Sequence, residues 1–277
     1  MAQLTTTDGF SLPYTVISAK KENAKGVIVY YHGGGLIFGQ PDDLAPEYIN
    51  LLTNDYHLVL ASYRLAPEST LDIIKDDAFA TFDYVEQLYS ELPIFTFGRS
   101  AGAYLAMLVA LHKNVAGVID FYGYSRIHVP AFLRPNKQFQ SLSSQLSPTI
   151  ITQLIQKEPL ITGPIQARYT LYLYARGQAQ WINYLGVQSS SHHKYNISPQ
   201  QLESFPPTFI VHCIGDPDVP YSESEHIHRF IEESHFESLS LNTHDFDRTV
   251  SEKSINIYDK AVQFLNQIVQ HYGGDKQ

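Results

Sequence analysis

Short apolar runs rich in β-branched and aromatic residues alternate along the chain with longer segments of helical periodicity. Strands are predicted at 27–31, 58–63, 93–97, 115–121, 208–214 and 238–241, and helices at 41–54, 70–89, 101–112 and 222–234, with a further helix at the C-terminal end. This alternation is typical of the α/β class, in which a mostly parallel central sheet carries helices on both faces.

Two of the predicted helices carry informative patterns. Residues 101–112 are apolar on nearly every side, so this helix is predicted to lie in the centre of the fold, against the sheet. The C-terminal helix shows one apolar stripe with spacings of 3, 4, 3 and 4, formed by Ile255, Tyr258, Val262, Leu265 and Val269. That stripe predicts a helix packed on the sheet through one face.

The segment 126–207 interrupts the alternation. It holds eight prolines, five tyrosines and the only tryptophan of the chain, Trp181. An insertion of this length in a compact sheet is more often a lid or binding element than a plain connection. We therefore expect an α/β core formed by 1–125 and 208–277, with 126–207 as an inserted cap; the alternative is an excursion that packs away from any site.

Composition and charge exclude several classes of partner. The 277 residues are 44% hydrophobic, which is typical of a well-buried globular protein. The net charge of −9 argues against nucleic acid or anionic lipid as a partner. A single cysteine, Cys213, excludes an intramolecular disulfide, and its apolar surroundings predict a buried strand thiol.

The first residues have neither the basic start nor the apolar core of a signal peptide. No run of about 18 apolar residues, the length that a membrane span needs, is present in the sequence. A cytoplasmic protein without stable membrane association is therefore expected. The sequence leaves the oligomeric state open.

The strongest chemical signal is the GxSxG motif Gly98-Arg99-Ser100-Ala101-Gly102, which lies between a predicted strand and a predicted helix. A nucleophilic serine at such a position stands on a tight turn with its hydroxyl above the sheet edge, and the turn needs small neighbours. Ser100 is therefore the candidate nucleophile.

A glycine-rich loop follows the strand at 27–31, with the sequence His32-Gly33-Gly34-Gly35. Backbone N–H groups aimed at a substrate's carbonyl oxygen stabilise the negative charge that develops in acyl transfer. We expect these donors to be Gly33, Gly34 and Ala101, with Gly35 as a substitute for one of the glycines. His32 is expected to orient or pack the loop and not to act as a base.

A third motif, Tyr63-Arg64-Leu65-Ala66-Pro67-Glu68, stands between these two. HGGG, YRLAPE and GxSAG in this order resemble the hormone-sensitive-lipase-like branch of the α/β-hydrolases, a group of carboxylesterases and acetyl esterases. The resemblance covers nearly the whole chain and implies the α/β-hydrolase fold and hydrolysis of small esters. For Arg64 we expect a structural role, with Glu68, Asp76 and Asp77 as possible ion-pair partners.

A serine hydroxyl needs a histidine as base, and that histidine needs a carboxylate that fixes its tautomer. In this fold the order along the chain is serine, acid, histidine. The strand at 208–214 leads into Gly215-Asp216-Pro217-Asp218-Val219-Pro220. Asp216 is favoured as the acid because it lies nearer the strand end and matches the family's D-P-x-V-P pattern. Asp218 is the reserve candidate.

Of twelve histidines, His244 alone follows the last predicted strand and precedes the C-terminal helix. The family's H-x-F pattern is matched there as well. His244 is therefore the candidate base, and Ser100, Asp216 and His244 are the candidate catalytic residues.

The expected activity is hydrolysis of a small, short-acyl or aromatic ester, with no organic cofactor and no metal. An amidase or peptidase that uses the same residues is the nearest alternative, and a non-catalytic small-molecule receptor on this fold is a more distant one. The sequence departs from the family at Arg99, where an acidic residue is common. It also has too few residues before the HGGG motif for the long N-terminal helical cap of many members.

Overall fold

The structure is a computed structural model that describes residues 2–188 and 190–274. The remaining positions of the predicted core and cap, 1, 189 and 275–277, lie outside the described residues. Eight strands form one sheet: β1 (Ala2–Thr5), β2 (Ser11–Ile17), β3 (Gly26–Tyr31), β4 (Tyr56–Ala61), β5 (Ile94–Arg99), β6 (Gly117–Phe121), β7 (Thr208–Cys213) and β8 (Ser234–Leu239).

The strand order is β1-β2-β4-β3-β5-β6-β7-β8. The pairs β1–β2 and β2–β4 are antiparallel, and every pair from β4 to β8 is parallel. The inner strands β3, β5, β6 and β7 are buried along their whole length, as expected for parallel strands covered on both faces. The predicted α/β class with a mostly parallel central sheet is confirmed.

The helices in chain order are α1 (Pro46–Leu52), α2 (Leu71–Leu88), α3 (Ala101–His112), α4 (Pro130–Leu133), α5 (Lys137–Ser143), α6 (Pro148–Leu154), α7 (Ile165–Gly177), α8 (Trp181–Tyr184), α9 (Pro199–Leu202), α10 (Tyr221–Phe230) and α11 (Glu252–Gly274). One core cluster contains side chains of α2, α3 and α10 together with much of the 126–207 segment. A second cluster, on the other face of the sheet, contains side chains of α1 and α11.

The helix patterns are largely confirmed. The first nine residues of α3 are all buried, and this helix packs against β3, β5 and β6. On α11, Tyr258 and Leu265 are fully buried. The apolar face of α2 ends earlier than predicted, because Leu88 at its last position is 52% exposed.

Two parts of the sheet differ from the prediction. The hairpin β1–β2 was not predicted, because its alternating and partly exposed residues carry a weaker apolar signal than the inner strands. The last strand begins at Ser234 and not at residue 238, and α10 ends at Phe230. β8 is an edge strand with several exposed polar positions, so its hydrophobicity does not mark its start.

Arg64 has one of its predicted partners. Its guanidinium donates to both carboxylate oxygens of Asp77 and also to Asp8 near the N-terminus. Glu68 pairs instead with Arg168 of α7, and Asp76 lies near Lys75. The YRLAPE segment thus joins the core to both the first hairpin and the 126–207 segment.

Within the described residues, no helix is long and apolar enough to cross a membrane. Cys213 is buried at the end of β7, as predicted.

Candidate active site

Ser100 is the single residue between β5 and α3. Its backbone angles, φ 54° and ψ −121°, lie in a region that non-glycine residues rarely adopt and that places a side chain above the sheet edge. The Ser100 N–H donates to the carbonyl of Phe121 at 2.8 Å, which anchors the turn to β6. The serine of the GxSxG motif therefore stands on a tight, strained turn, as the sequence predicts.

The two glycines of this motif allow very close backbone packing. A Cβ built on Gly102 would lie 2.1 Å from the carbonyl oxygen of Tyr31, and one built on Gly98 would lie 2.1 Å from that of Gly102. No side chain fits at either position, because real Cβ atoms do not approach a carbonyl oxygen this closely. These contacts hold the start of α3 against the end of β3.

The structure brings the three predicted catalytic side chains into one hydrogen-bonded line. His244 Nε2 lies 2.8 Å from Ser100 Oγ, and His244 Nδ1 lies 2.6 Å from Asp216 Oδ2. Ser100 follows β5, Asp216 follows β7 and His244 follows β8, so the line forms where the carboxyl ends of these strands meet. One imidazole thus connects a hydroxyl to a carboxylate, which is the arrangement that lets a histidine remove a serine proton.

The carboxylate of Asp216 is fully buried and accepts hydrogen bonds at both oxygens. Oδ1 accepts the N–H groups of Asp218 at 2.8 Å and Val219 at 3.0 Å. Oδ2 lies 2.6 Å from His244 Nδ1 and 3.0 Å from His212 Nε2. Burial alone would raise the pKa of Asp216, but the two histidines outweigh it and hold this pKa well below its usual value.

The same contact acts in the opposite direction on His244. Burial disfavours the charged imidazolium, yet the adjacent carboxylate of Asp216 outweighs this effect and raises the pKa of His244 to about 9. Asp218 and Asp245 contribute further in the same direction.

Asp218, the reserve candidate for the acid, lies against the 126–207 segment. Its Oδ2 accepts the hydroxyl of Tyr172 at 2.6 Å, and its Oδ1 accepts Arg176 Nε at 3.1 Å. Both partners belong to α7, so Asp218 connects this helix to the loop that carries Asp216.

The glycine loop lies directly beside Ser100. A Cβ built on Gly33 would lie 3.5 Å from Ser100 Cβ, and Gly34 has φ +106°, which a side chain rarely tolerates. Within the described part of the chain, the N–H groups of Gly33 and Gly34 donate to no protein acceptor. Ala101 is the first residue of α3, and the first N–H groups of a helix have no partner within it.

His32 is a buried packing residue. Its ring stacks on that of Tyr63 with centroids 4.2 Å apart, and its Nδ1 lies 2.7 Å from the carbonyl of Gly33. Gly39 approaches the same ring so closely that a Cβ there would lie 2.5 Å from Nδ1. These contacts fix the fold of the glycine loop.

Arg99, next to Ser100, is neutralised by two carboxylates. Its Nη1 lies 3.1 Å from Asp247 Oδ2, its Nη2 contacts Asp43, and its Nε donates to the hydroxyl of Tyr30 at 2.7 Å. With every nitrogen of the guanidinium engaged, Arg99 is an anchor of the turn at Ser100 and not a free cation in the site.

Asp247 is the centre of this buried network. Besides Arg99, its carboxylate accepts the hydroxyls of Tyr122 at 2.6 Å and Tyr258 at 2.7 Å. The ring of Tyr122 also packs edge-on against His244, with centroids 4.8 Å apart. Because Asp247 follows His244 by three residues, the network holds the histidine loop against the turn that carries Ser100.

A cavity of about 970 Å³ opens over these groups, which is near the upper end of the usual range for small-molecule sites. Four aromatic residues of the lining form a cluster in which Phe38 contacts Tyr169 and Tyr172, and Phe139 contacts Tyr172. Three of the four come from the 126–207 segment. The lining also includes Ser100, His244, Gly33, Gly34, Asp43, Asn242 and Asp245.

Sequence reasoning did not single out His212, Asp247 and Tyr122. The signal for His212 was available, since it stands four residues before Asp216 on a buried strand, where an imidazole needs polar partners. Asp247 and Tyr122 contact Arg99 and His244 only through tertiary packing, which no local pattern reveals. Among the described residues, no group of three or more His, Cys, Asp or Glu side chains could hold a metal ion.

Comparison with known families and structures agrees with this fold. Residues 28–238 match the sequence model of a family described as alpha/beta hydrolase fold. The chain is 29% identical over 155 residues to Carboxylesterase 20 of Arabidopsis thaliana, an alignment that covers 50% of this chain and 47% of the plant protein. The chain therefore spans less than half the length of that relative.

Two solved structures are similar over nearly their whole length. A Staphylococcus aureus protein of unknown function has a TM-score of 0.95 at 48% identity, covering 97% of this chain and 98% of the other. An α/β-hydrolase superfamily protein from Enterococcus faecalis has a TM-score of 0.83 at 27% identity, covering 96% and 98%.

Proposed function

The chain belongs to the α/β-hydrolase fold family, and from this premise we propose that it is a serine carboxylesterase that hydrolyses small esters. The observation that carries the proposal is the hydrogen-bonded line from Ser100 through His244 to Asp216. Ser100 stands on a strained turn beside the backbone N–H groups of Gly33 and Gly34, which donate to no acceptor among the described residues. The similarity to a plant carboxylesterase supports the ester as the substrate class.

In the proposed mechanism His244 Nε2 takes the proton of Ser100 as Oγ attacks the ester carbonyl carbon. Asp216 holds the imidazole in the tautomer with hydrogen on Nδ1 and stabilises the imidazolium that forms. His244 then returns the proton to the leaving alcohol oxygen as the ester C–O bond breaks. Water repeats the cycle on the acyl-enzyme, releases the acid and restores Ser100.

The negative oxygen of the tetrahedral intermediate is assigned to the N–H groups of Gly33, Gly34 and Ala101. Two observations support this role: Gly33 approaches Ser100 closely, and neither glycine N–H group has an acceptor among the residues that the structure describes. One such donor is worth on the order of 10²–10³ in rate.

The segment 126–207 serves in this proposal as the cap over the site. Its residues Phe139, Tyr169 and Tyr172 line the cavity beside Phe38, so an aromatic or short apolar group of the ester would lie against them. The preference expected is therefore for short-acyl or aromatic esters.

The test is a panel of p-nitrophenyl esters of increasing acyl length, with the matching anilides, assayed on the parent protein and on Ser100→Ala. The parent should hydrolyse the short esters much faster than the anilides, and Ser100→Ala should lose this activity while it stays folded. Ser222→Ala, an exposed serine on α10, is the control and should keep full activity. Persistent turnover by Ser100→Ala would reject the mechanism, and faster cleavage of the anilides would make the protein an amidase.

A further inference from the structure

A second histidine contacts the carboxylate that faces His244. His212 lies on β7, its side chain has no exposed surface, and its Nε2 is 3.0 Å from Asp216 Oδ2. His244 Nδ1 lies 2.6 Å from the same oxygen. Two imidazoles therefore meet at one carboxylate oxygen, one from a strand and one from the loop after β8.

The partners of His212 determine which of its ring nitrogens carries hydrogen. Nε2 faces two acceptors, Asp216 Oδ2 at 3.0 Å and the carbonyl oxygen of Val219 at 3.1 Å, so this nitrogen must be the donor. Nδ1 lies 2.7 Å from the hydroxyl of Ser224, which can donate to it. A neutral His212 with hydrogen on Nε2 satisfies all three partners.

With this donor, the carboxylate of Asp216 has four hydrogen-bond donors. Two backbone N–H groups point to Oδ1, and the N–H groups of His244 and His212 point to Oδ2. Every additional donor draws negative charge away from the oxygen it contacts. The bond from His212 therefore weakens the pull of Asp216 on the proton of His244, and it fixes the direction in which Oδ2 points.

We propose that His212 is a positioning residue of the active site, which orients Asp216 and limits how strongly Asp216 retains the His244 proton. This inference rests on the proposed function, because it concerns the same acid and base. The contacts of His244 and His212 with Asp216 Oδ2 satisfy two requirements of the mechanism. Asp216 must orient the imidazole, yet the imidazole must still become neutral to accept the Ser100 proton.

The experiment compares His212→Leu, which removes the donor, with His212→Gln, which can keep an N–H group near the position of Nε2. His235→Gln, a change of an exposed histidine on β8, is the matched control. The readout is kcat/KM for p-nitrophenyl acetate as a function of pH. Other titratable or charged groups that face the two histidines are unchanged in these variants: Asp218, Asp245 and Tyr122 around His244, and Tyr221 and Glu223, which pairs with Arg126, around His212.

Activity of the parent should rise with pH through the raised pKa of His244, because only the neutral imidazole accepts a proton. In His212→Leu the midpoint of this rise should move to higher pH by about half a unit or more, which lowers kcat/KM at pH 7 about threefold per half unit. His212→Gln and His235→Gln should keep the midpoint of the parent. A midpoint that stays unchanged in His212→Leu, whatever its stability, overturns the proposal.

A measurement on the parent protein covers the case in which His212→Leu does not fold. Two-bond ¹H–¹⁵N correlation spectra at neutral pH should show His212 with hydrogen on Nε2. Hydrogen found on Nδ1 alone would overturn the proposal, because Nε2 could not then donate to Asp216. A parent protein without esterase activity would reject the proposed function, and the spectra would still decide the contact between His212 and Asp216.

Discussion

At the scale of single residues, Asp216 and Asp218 perform different work although they are two positions apart. Asp216 contacts His244, and its carboxylate is held by four donors. Asp218 accepts from Tyr172 and Arg176, and through them it binds α7 to the acid-bearing loop. In the proposed mechanism the first acts in the chemistry, and the second docks a helix.

This division predicts opposite profiles for two conservative changes. Asp216→Asn should lower kcat by on the order of 10³-fold or more, because the amide no longer stabilises the imidazolium or selects its tautomer. Asp218→Asn should keep most of the activity and lower the melting temperature, because Arg176 remains buried without its counter-charge. Steady-state kinetics and thermal unfolding of both variants check this, and a larger loss of kcat in Asp218→Asn would exchange the two roles.

Residues of the candidate site can be predicted from their order along the chain, whereas contacts between distant residues cannot. Ser100, Asp216 and His244 could be found because each follows a strand in the order that the fold requires. The contact of Arg99 with Asp247 could not, since Asp247 lies 148 positions away and the two meet only after β5 and the loop that carries His244 are packed. His212 is an intermediate case: the sequence shows a histidine on a buried strand, but it does not show the contact of His212 with Asp216.

At the scale of elements, α7 connects two loops of the site. Arg168 near its start donates to the carbonyl of Ile37 at 2.8 Å and pairs with Glu68 at 2.7 Å. Near its end, Arg176 donates to the carbonyl of Asp218 at 2.9 Å. One helix of the 126–207 segment thus braces both the glycine loop and the acid-bearing loop.

The buried ion pair of Arg168 and Glu68 makes this brace testable. Both side chains are at most 2% exposed. Arg168→Met leaves Glu68 buried without a counter-charge and should cost about 3–5 kcal/mol of unfolding free energy. The double variant Arg168→Met/Glu68→Gln should recover part of that loss.

Urea unfolding of the parent, both single variants and the double variant measures this coupling. Glu68→Gln alone serves as the control for the change of the carboxylate. Additive losses in the double variant would mean that the pair does not carry the brace.

The same scale explains which elements the sequence reveals. The inner strands are buried throughout and α3 over its first nine residues, so their apolar runs are easy to recognise. The hairpin β1–β2 and the edge strand β8 face solvent on part of their surface, and their polar positions conceal them. The glycine loop, Ser100 and Asp216 nevertheless could be predicted, because they follow inner strands, whereas His244 follows β8, of which the sequence predicts only the last part.

At the scale of the whole molecule, the parallel sheet determines where chemistry can occur. The carboxyl ends of parallel strands meet at one edge, and ligands of open α/β sheets bind there. The glycine loop after β3, Ser100 after β5, Asp216 after β7 and His244 after β8 all meet at that edge. Strand order therefore converts four distant segments of sequence into one site.

The centre of the sheet also carries a buried acid that affects global stability. Asp120 lies on β6 with no exposed surface, and its Oδ1 accepts the N–H of Gly123 at 2.8 Å. Burial raises the pKa of Asp120 to about 7, from 3.8 for an exposed aspartate. The folded protein thus binds this proton more tightly than the unfolded chain, so its stabilising effect is complete below about pH 4 and is lost as the pH rises to 7.

Asp120→Asn removes this ionisation, so the unfolding free energy should depend less on pH between about pH 4 and pH 7. The unfolding free energy of the variant minus that of the parent should be roughly 1–3 kcal/mol larger at pH 8 than at pH 5. Urea unfolding at the two pH values checks this, with Asp76→Asn, an exposed aspartate on α2, as the control. An equal difference between variant and parent at both values would show that Asp120 does not titrate in this range.

The central claim is that Ser100 is the nucleophile, and a covalent label tests it most directly. A p-nitrophenyl alkylphosphonate reacts with an activated serine and leaves a stable phosphonate ester, whose mass is measured on the intact protein and located by peptide mapping. We predict one label per chain, on Ser100, formed with release of one p-nitrophenolate and absent from Ser100→Ala. Ester hydrolysis by a parent protein that takes up no label at Ser100, or takes it up at another residue, would contradict the account.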